Sequence, residues 1–193
     1  MPRAGLSREA VVELALTVID ADGLAGLTLA AVAARAGVAV PSLYKHVAGL
    51  PDLRREVALR CVDELTARLE DATAAAGGTA DGEQVRTLAR AVRAFALERP
   101  GRYLATQGPT WANDPEATAL HAAGERSVAV IAAALAPLGL PVQGTVDAVR
   151  AVRALVHGFV RLELDGGFEL PDDVTASFDR AVDVMVAGFM ARS

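Results

Sequence analysis

The stretch Thr28–Val47, TLAAVAARAGVAVPSLYKHV, constrains the fold most, because it places a stop and a restart signal for a helix side by side. Thr28 is a good N-cap, and Leu29, Val32, Ala33 and Ala36 repeat at three- and four-residue spacing, which predicts a two-turn helix with one buried face. Gly37 follows the last periodic residue, where a left-handed conformation lets the chain reverse, and Val38 is expected to plug the angle between two helices. Pro41 lacks an N–H that a first helical turn does not use, so a second helix over Val40–His46 is expected. Two short helices about a glycine turn make a helix-turn-helix. An ordinary core corner would have the same Ala-rich pattern. Leu43, an apolar position between Ser42 and Lys45, favours a helix with one face presented to a partner.

In a DNA-binding helix-turn-helix the second helix enters the major groove with its N-terminal residues toward the base edges. Here those residues are Val40, Pro41 and Ser42. Only Ser42 can hydrogen-bond a base or phosphate, while Val40 and Pro41 offer apolar surface suited to a thymine methyl. Tyr44, Lys45 and His46 close the helix with groups that reach phosphate oxygens. These residues resemble the N-terminal domain of the TetR family of transcriptional regulators, whose pattern is Thr, a helix ending Ala-Gly-Val, then Leu-Tyr-x-His and an aromatic residue. Thr28, Ala36, Gly37, Val38, Leu43, Tyr44 and His46 match it, and the likeness runs back through Ala10–Gly26 and forward past Pro51. The resemblance implies a DNA-contacting set of Thr28, Ala39, Val40, Pro41, Ser42, Tyr44, Lys45 and His46. Three positions depart from the pattern. Ala39 stands where a capping Ser is usual, Val47 where Phe is usual, and Leu50 where a Lys usually opens the fourth helix, with Arg54 and Arg55 expected within reach of the same region.

The chain has 193 residues, 52% of them hydrophobic, enough for a small head and a larger body. Its net charge of −5 is unevenly spread: seven Lys and Arg against six Asp and Glu through residue 60 give +1, and twelve against eighteen beyond it give −6. The acidic excess therefore lies away from the helix-turn-helix, which permits a nucleic-acid partner without demanding one. Cys61 is the single cysteine, so no intramolecular disulfide forms. No uninterrupted apolar run reaches the roughly 18 residues of a membrane span. The first residues, MPRAGLSREA, lack the apolar centre of a signal peptide, and a cytoplasmic location is expected.

Helical periodicity continues throughout and no alternating strand pattern occurs, so the fold is expected to be all-α with about nine helices. Ser7–Asp20 forms the first, with Val11, Leu14, Ala15, Val18 and Ile19 on its apolar face. Residues 1–50 are read as the helix-turn-helix DNA-binding domain and 51–193 as a ligand-binding and dimerisation domain. Its connector helix, 51–76, carries Leu53, Val57, Cys61, Leu65 and Leu69 on one line. The GGTADG run of residues 77–82 is expected to be a flexible break. Glu83–Glu98 is a helix expected to end at Pro100-Gly101; Glu116–Leu138, Pro141–Leu164 and Pro171–Arg192 are three more. The run VHGFVRLELDGGF, residues 156–168, resembles a C-terminal domain of some TetR-like regulators named for a Trp-His-Gly motif, with Val156 in place of the Trp.

No catalytic constellation is found: there is no Gly-x-Ser-x-Gly, no phosphate-cradling glycine loop and no His-Glu-x-x-His. His46, His121 and His157 are scattered without metal-ligand spacing, and neither metal nor cofactor is expected. Small side chains on the Ala-rich helix leave room between helices, and Phe95, Tyr103, Trp111, His121 and Arg153 are candidates for contacting a small, largely apolar effector of the kind the resemblance implies. In the last two helices Val152, Val156, Phe159, Phe178, Val182, Met185 and Phe189 fall on stripes that call for a partner, which predicts a homodimer. The sequence thus reads as a ligand-responsive, homodimeric repressor of a palindromic DNA operator with no membrane partner. The alternative is a helical small-molecule-binding protein with weakened or lost DNA binding, to which Ala39 and Leu50 point.

Overall fold

The computed structural model describes residues 6–78, 80–107, 113–171 and 173–191. Among them there are eight α-helices and no strand: α1 Arg8–Asp22, α2 Leu29–Ala36, α3 Leu50–Ala76, α4 Glu83–Glu98, α5 Pro100–Thr106, α6 Thr118–Leu135, α7 Val142–Leu164 and α8 Val174–Met190. A ninth helix, Val40–Lys45, is of the 3₁₀ type, and single 3₁₀ turns occur at Leu24–Gly26 and Ala136–Leu138. The expected all-α fold is thus present.

The chain forms two compact units. The first comprises the described residues up to Asp63 together with Arg99–Ala123; the second comprises Glu64–Glu98 and the residues from Gly124 onward. In the first, Ser7 caps α1 by accepting the Ala10 N–H at 3.1 Å, and Gly23 ends it at φ 71°. Val11, Ala15, Val18 and Ile19 of α1 are buried with Val32 and Ala33 of α2, Leu43, Val47, and Leu53, Val57 and Cys61 of α3. These are the positions that the three- and four-residue spacing marks, and one core holds the whole helix-turn-helix in place. A smaller cluster joins Ala58 and Val62 to Ala117, Leu120 and Ala123.

Pro100 opens α5 as its first residue rather than merely ending the helix before it, the position where its missing N–H is harmless. Gly101 beside it lets α5 lie against α1, because a Cβ there would overlap the Ile19 carbonyl.

In the second unit α4, α7 and α8 pack together, burying Val85, Leu88, Phe95, Val152, Val156, Val160, Phe178, Val182 and Val186. Three arginines on one side of α4 fasten it. Arg86 and Arg90 reach Asp183 and Asp179 at 2.6 and 2.9 Å, and Arg93 binds both oxygens of Glu163 at 2.6 and 2.7 Å while its guanidinium lies over the Phe178 ring. The 77–82 run lies inside this unit and is an ordered turn where described. Gly82 has φ 79° and its backbone presses on Val186 so closely that a Cβ would overlap that side chain. Thr118–Leu138 is long and apolar enough to cross a membrane by length and composition alone, but Glu125 and Arg126 stand adjacent within it.

Candidate nucleic-acid interface

The turn between α2 and the 3₁₀ helix is closed by two backbone hydrogen bonds. Gly37, at φ 66° and ψ 33°, donates its N–H to the Ala34 carbonyl at 3.2 Å, and Val38 donates to Ala33 at 3.1 Å. This paired closure requires a left-handed residue, which Gly37 supplies without a Cβ penalty. At the other end Thr28 Oγ1 accepts the Ala31 N–H at 3.1 Å, so the hydroxyl of Thr28 holds the start of α2. Val38 does not plug the interhelical angle; it is exposed, because the reversal at Gly37 turns it outward.

The second helix is tighter than the α-helix its sequence predicts. Ala39 has no side-chain oxygen to cap it and Pro41 no N–H to donate. The chain closes instead with three-residue steps, Ser42 N–H to Ala39 O at 2.9 Å and His46 N–H to Leu43 O at 2.8 Å. With three residues per turn, every third side chain shares a face. Leu43 is fully buried in the head core and Val40 packs half-buried against it, while Ser42 and His46 are half-buried as well. Pro41 and Tyr44 form one outer row, with Tyr44 57% exposed, and Ala39, Ser42 and Lys45 form the other. Val40 is therefore mainly a packing residue, and the apolar surface presented outward is that of Ala39, Pro41 and Tyr44.

Two of the three departures from the family pattern are core substitutions. Val47 is buried, and Leu50 is half-buried against the same cluster, so apolar packing takes the place of an exposed cation there.

Arg8, which sequence reasoning missed, ties this segment to its neighbours. Its guanidinium donates to the His46 carbonyl at 2.9 Å, to both oxygens of Asp52 at 2.8 and 3.0 Å and to Glu56 at 2.8 Å. Asp52 in turn accepts the Ala48 N–H at 2.9 Å. The Arg8 hydrogen bond, helped by that of Ala48, holds the Asp52 carboxyl below its usual range against the opposing effect of burial. A faint signal was legible: a cation in the first turn of a helix opposes the helix dipole, so Arg8 serves something other than its own helix.

Carboxylates hold most of the head's positive charge. Arg35 pairs with Asp22 at 3.0 Å, Arg60 with Glu13 at 2.7 Å, and Arg55 with Asp114 and Glu116, both at 2.9 Å. Arg55 is thus committed within the unit rather than reaching toward the recognition surface. Among the described residues up to Asp63, Lys45 and Arg54 are the cations without a carboxylate partner.

Comparison with known proteins identifies this arrangement. Residues 11–47 match the family described as bacterial regulatory proteins, tetR family, and residues 85–185 match the tetracyclin repressor-like C-terminal domain. An uncharacterized HTH-type transcriptional regulator of Mycobacterium tuberculosis is 38% identical over 98% of this chain and 84% of its own length. The chain belongs to the TetR family. A second uncharacterized HTH-type regulator, from Bacillus subtilis, is 29% identical over 98% of this chain and 95% of its own. A solved structure of a protein of unknown function from Rhodococcus sp. RHA1 superposes with a TM-score of 0.80 at 25% identity, covering 97% of this chain and 98% of the other. As a TetR-family protein the chain is a ligand-responsive, DNA-binding transcriptional regulator. The 156–168 run lies within the C-terminal match.

In this TetR-family chain the five residues expected at an effector are differently placed. Tyr103 and His121 belong to the first unit, Phe95 and Arg153 to the second, and Trp111 lies outside the described residues. Phe95 and Tyr103 are enclosed by protein, Phe95 beneath the Arg68 guanidinium, whereas Arg153 is exposed. None of the four described ones lines the open cleft of about 240 Å³ formed by Phe159, Phe168, Glu169, Leu170, Val174 and Ser177.

The stripe expected to meet a partner subunit is largely used within the chain. Val152, Val156, Phe178 and Val182 are 0–2% exposed, because α4 and its arginines cover the inner faces of α7 and α8. Phe159 stacks with Phe168 and Phe178 at 4.6 and 5.1 Å between ring centres. Met185 and Phe189 are half-buried. Periodicity showed that the stripe needed a neighbour, but not that the neighbour was α4. The large apolar side chains left open on these helices are Val142, Val146, Leu162, Val184 and Met190.

Proposed function

We propose that this TetR-family protein is a cytoplasmic repressor that binds a two-fold symmetric operator as a homodimer and leaves it when a small, largely apolar effector binds. Residues 1–50 act as the DNA-binding head, residues 51–193 as the effector-binding and dimerisation body, and 51–76 as the connector. The observation that carries this reading is the outer surface of the 3₁₀ helix. Ala39 and Lys45 on one row and Pro41 and Tyr44 on the other are exposed, with Ser42 half-buried between the first two, outside the core that Leu43 anchors. Ser42, Tyr44, Lys45 and His46 supply polar groups for bases and phosphates, and Thr28 holds the helix before them. The apolar cleft around Phe159 and Phe168 supports an apolar effector, and the open side chains of α7 and α8 support a second subunit.

A second reading, a small-molecule-binding protein with weakened DNA affinity, is favoured by the small number of unpaired cations among the described residues of the head. A gel shift on DNA from the protein's own promoter, titrated with salt, separates the two. The repressor reading predicts sequence-specific retention at physiological salt, with Lys45→Ala lowering affinity for every sequence and reducing the salt slope by about one. Retention that disappears at physiological salt and is blind to sequence favours the alternative.

A further inference from the structure

From Ala36 to Pro51 the sequence AGVAVPSLYKHVAGLP contains no Arg, Asn, Gln, Asp or Glu. Those side chains, with Lys, make the paired hydrogen bonds that identify guanine, adenine or cytosine in the major groove. In a helix-turn-helix the start of the recognition helix faces the base edges. Here that start is Ala39, Val40, Pro41 and Ser42, with Val40 turned inward onto the head core. The neighbouring Arg35 and Arg55 are held by Asp22, Asp114 and Glu116. Lys45, one turn further on in the row of Ala39 and Ser42, lies at the closing end of the helix. What remains at the base-facing end is two exposed apolar side chains, Ala39 and Pro41, with the exposed Tyr44 ring behind Pro41 on the same row, and a single hydroxyl, Ser42.

We infer that this surface reads its DNA chiefly through the C5-methyl groups of pyrimidines, thymine in unmodified DNA, packed against Ala39 and Pro41, with Ser42 adding one hydrogen bond. A methyl in the groove is the one base-edge feature an apolar side chain can recognise, and covering it removes apolar surface from water on both partners. The inference rests on the DNA-binding reading above and adds which feature of the bases is read. It follows that half-sites carry thymine opposite Ala39 and Pro41, and that guanine or adenine identity is enforced weakly at those positions.

The test is a selection from random duplex DNA by the full-length protein, followed by affinity measurement on the selected duplex in three forms. These carry thymine, deoxyuridine in place of thymine, and 5-methylcytosine at the same positions with the opposite base changed to guanine. Deoxyuridine keeps every hydrogen-bonding group of thymine and lacks only the methyl. The expected result is a loss of about fourfold in affinity for each contacted thymine replaced, the effect of one buried carbon. The loss should shrink in Pro41→Ser, which removes half of the apolar pair. Recovery with 5-methylcytosine would show that the methyl is read from either base; no recovery would restrict the reading to thymine, and both uphold the inference. Equal affinity for thymine and deoxyuridine duplexes would overturn it while leaving sequence-specific binding intact. No enrichment from the random pool would instead overturn the DNA-binding reading itself.

Discussion

Arg8 grips Asp52 with two hydrogen bonds, at 2.8 and 3.0 Å, and with the same guanidinium holds the carbonyl of His46, the residue that caps the 3₁₀ helix. The start of α1, the end of the recognition segment and the start of α3 thus meet at one side chain. Because Arg8 is partly exposed, we expect Arg8→Ala to cost on the order of 1 kcal/mol of stability. The pH dependence has a definite sign. The folded pKa of Asp52 lies below its unfolded one, so its contribution is complete at neutral pH. It is lost as pH falls from the ordinary carboxylate range through the lower folded value. Denaturant unfolding of wild type and Asp52→Asn should differ at pH 7 and converge in acid; curves parallel at all pH values would dismiss this role.

A second prediction concerns the arginines of α4. Arg93 and Glu163 are both mostly shielded from solvent, and the hydrogen bonds that Arg93 donates to Glu163 raise the Arg93 pKa. Arg93→Met leaves a shielded carboxylate unpaired, so a loss of about 3 kcal/mol is expected. Arg90 and Asp179 are more exposed, and Arg90→Ala should cost under about 1 kcal/mol. Thermal unfolding of the two variants checks the order, and equal losses would refute it.

Gly101→Ala should destabilise the first unit by about 1–3 kcal/mol, since the new methyl would overlap the Ile19 carbonyl and force α5 off α1. Chemical denaturation measures this directly, and an unchanged midpoint would mean that the two helices are free to separate.

The subunit contact is best probed where the single chain has nothing to lose. Val184 is 74% exposed, so Val184→Asp leaves the folded chain unaffected but puts a charge into any interface built on the outer face of α8. Sedimentation is expected to show monomers with native circular dichroism. A variant that remains dimeric would mean that the subunits meet elsewhere.

The parts of the site legible in the sequence are those encoded by local chemistry. Thr28 as a cap, Gly37 as a left-handed stop and Leu43 as the inward residue each follow from what one side chain does to its own backbone. The parts that were not legible depend on residues far apart in the chain. Nothing near Arg55 announces Asp114, and nothing near Phe178 announces that Arg93 will cover it. The 3₁₀ form of the recognition segment lies between these cases. Ala39 and Pro41 each weaken an α-helical start, but the sorting of Val40 and Leu43 from the exposed Ala39, Pro41 and Tyr44 emerges only once the core behind them is in place.

Two copies of this head are expected to read one symmetric DNA site through the segment Ala39–His46. Hydroxyl-radical footprinting of genomic fragments retained by the protein tests it most directly. Two protected half-sites related by two-fold symmetry are expected, with centres whole helical turns apart, and both footprints weakened together by Lys45→Ala. A single unsymmetric footprint, or fragments bound no better than bulk DNA, would contradict it.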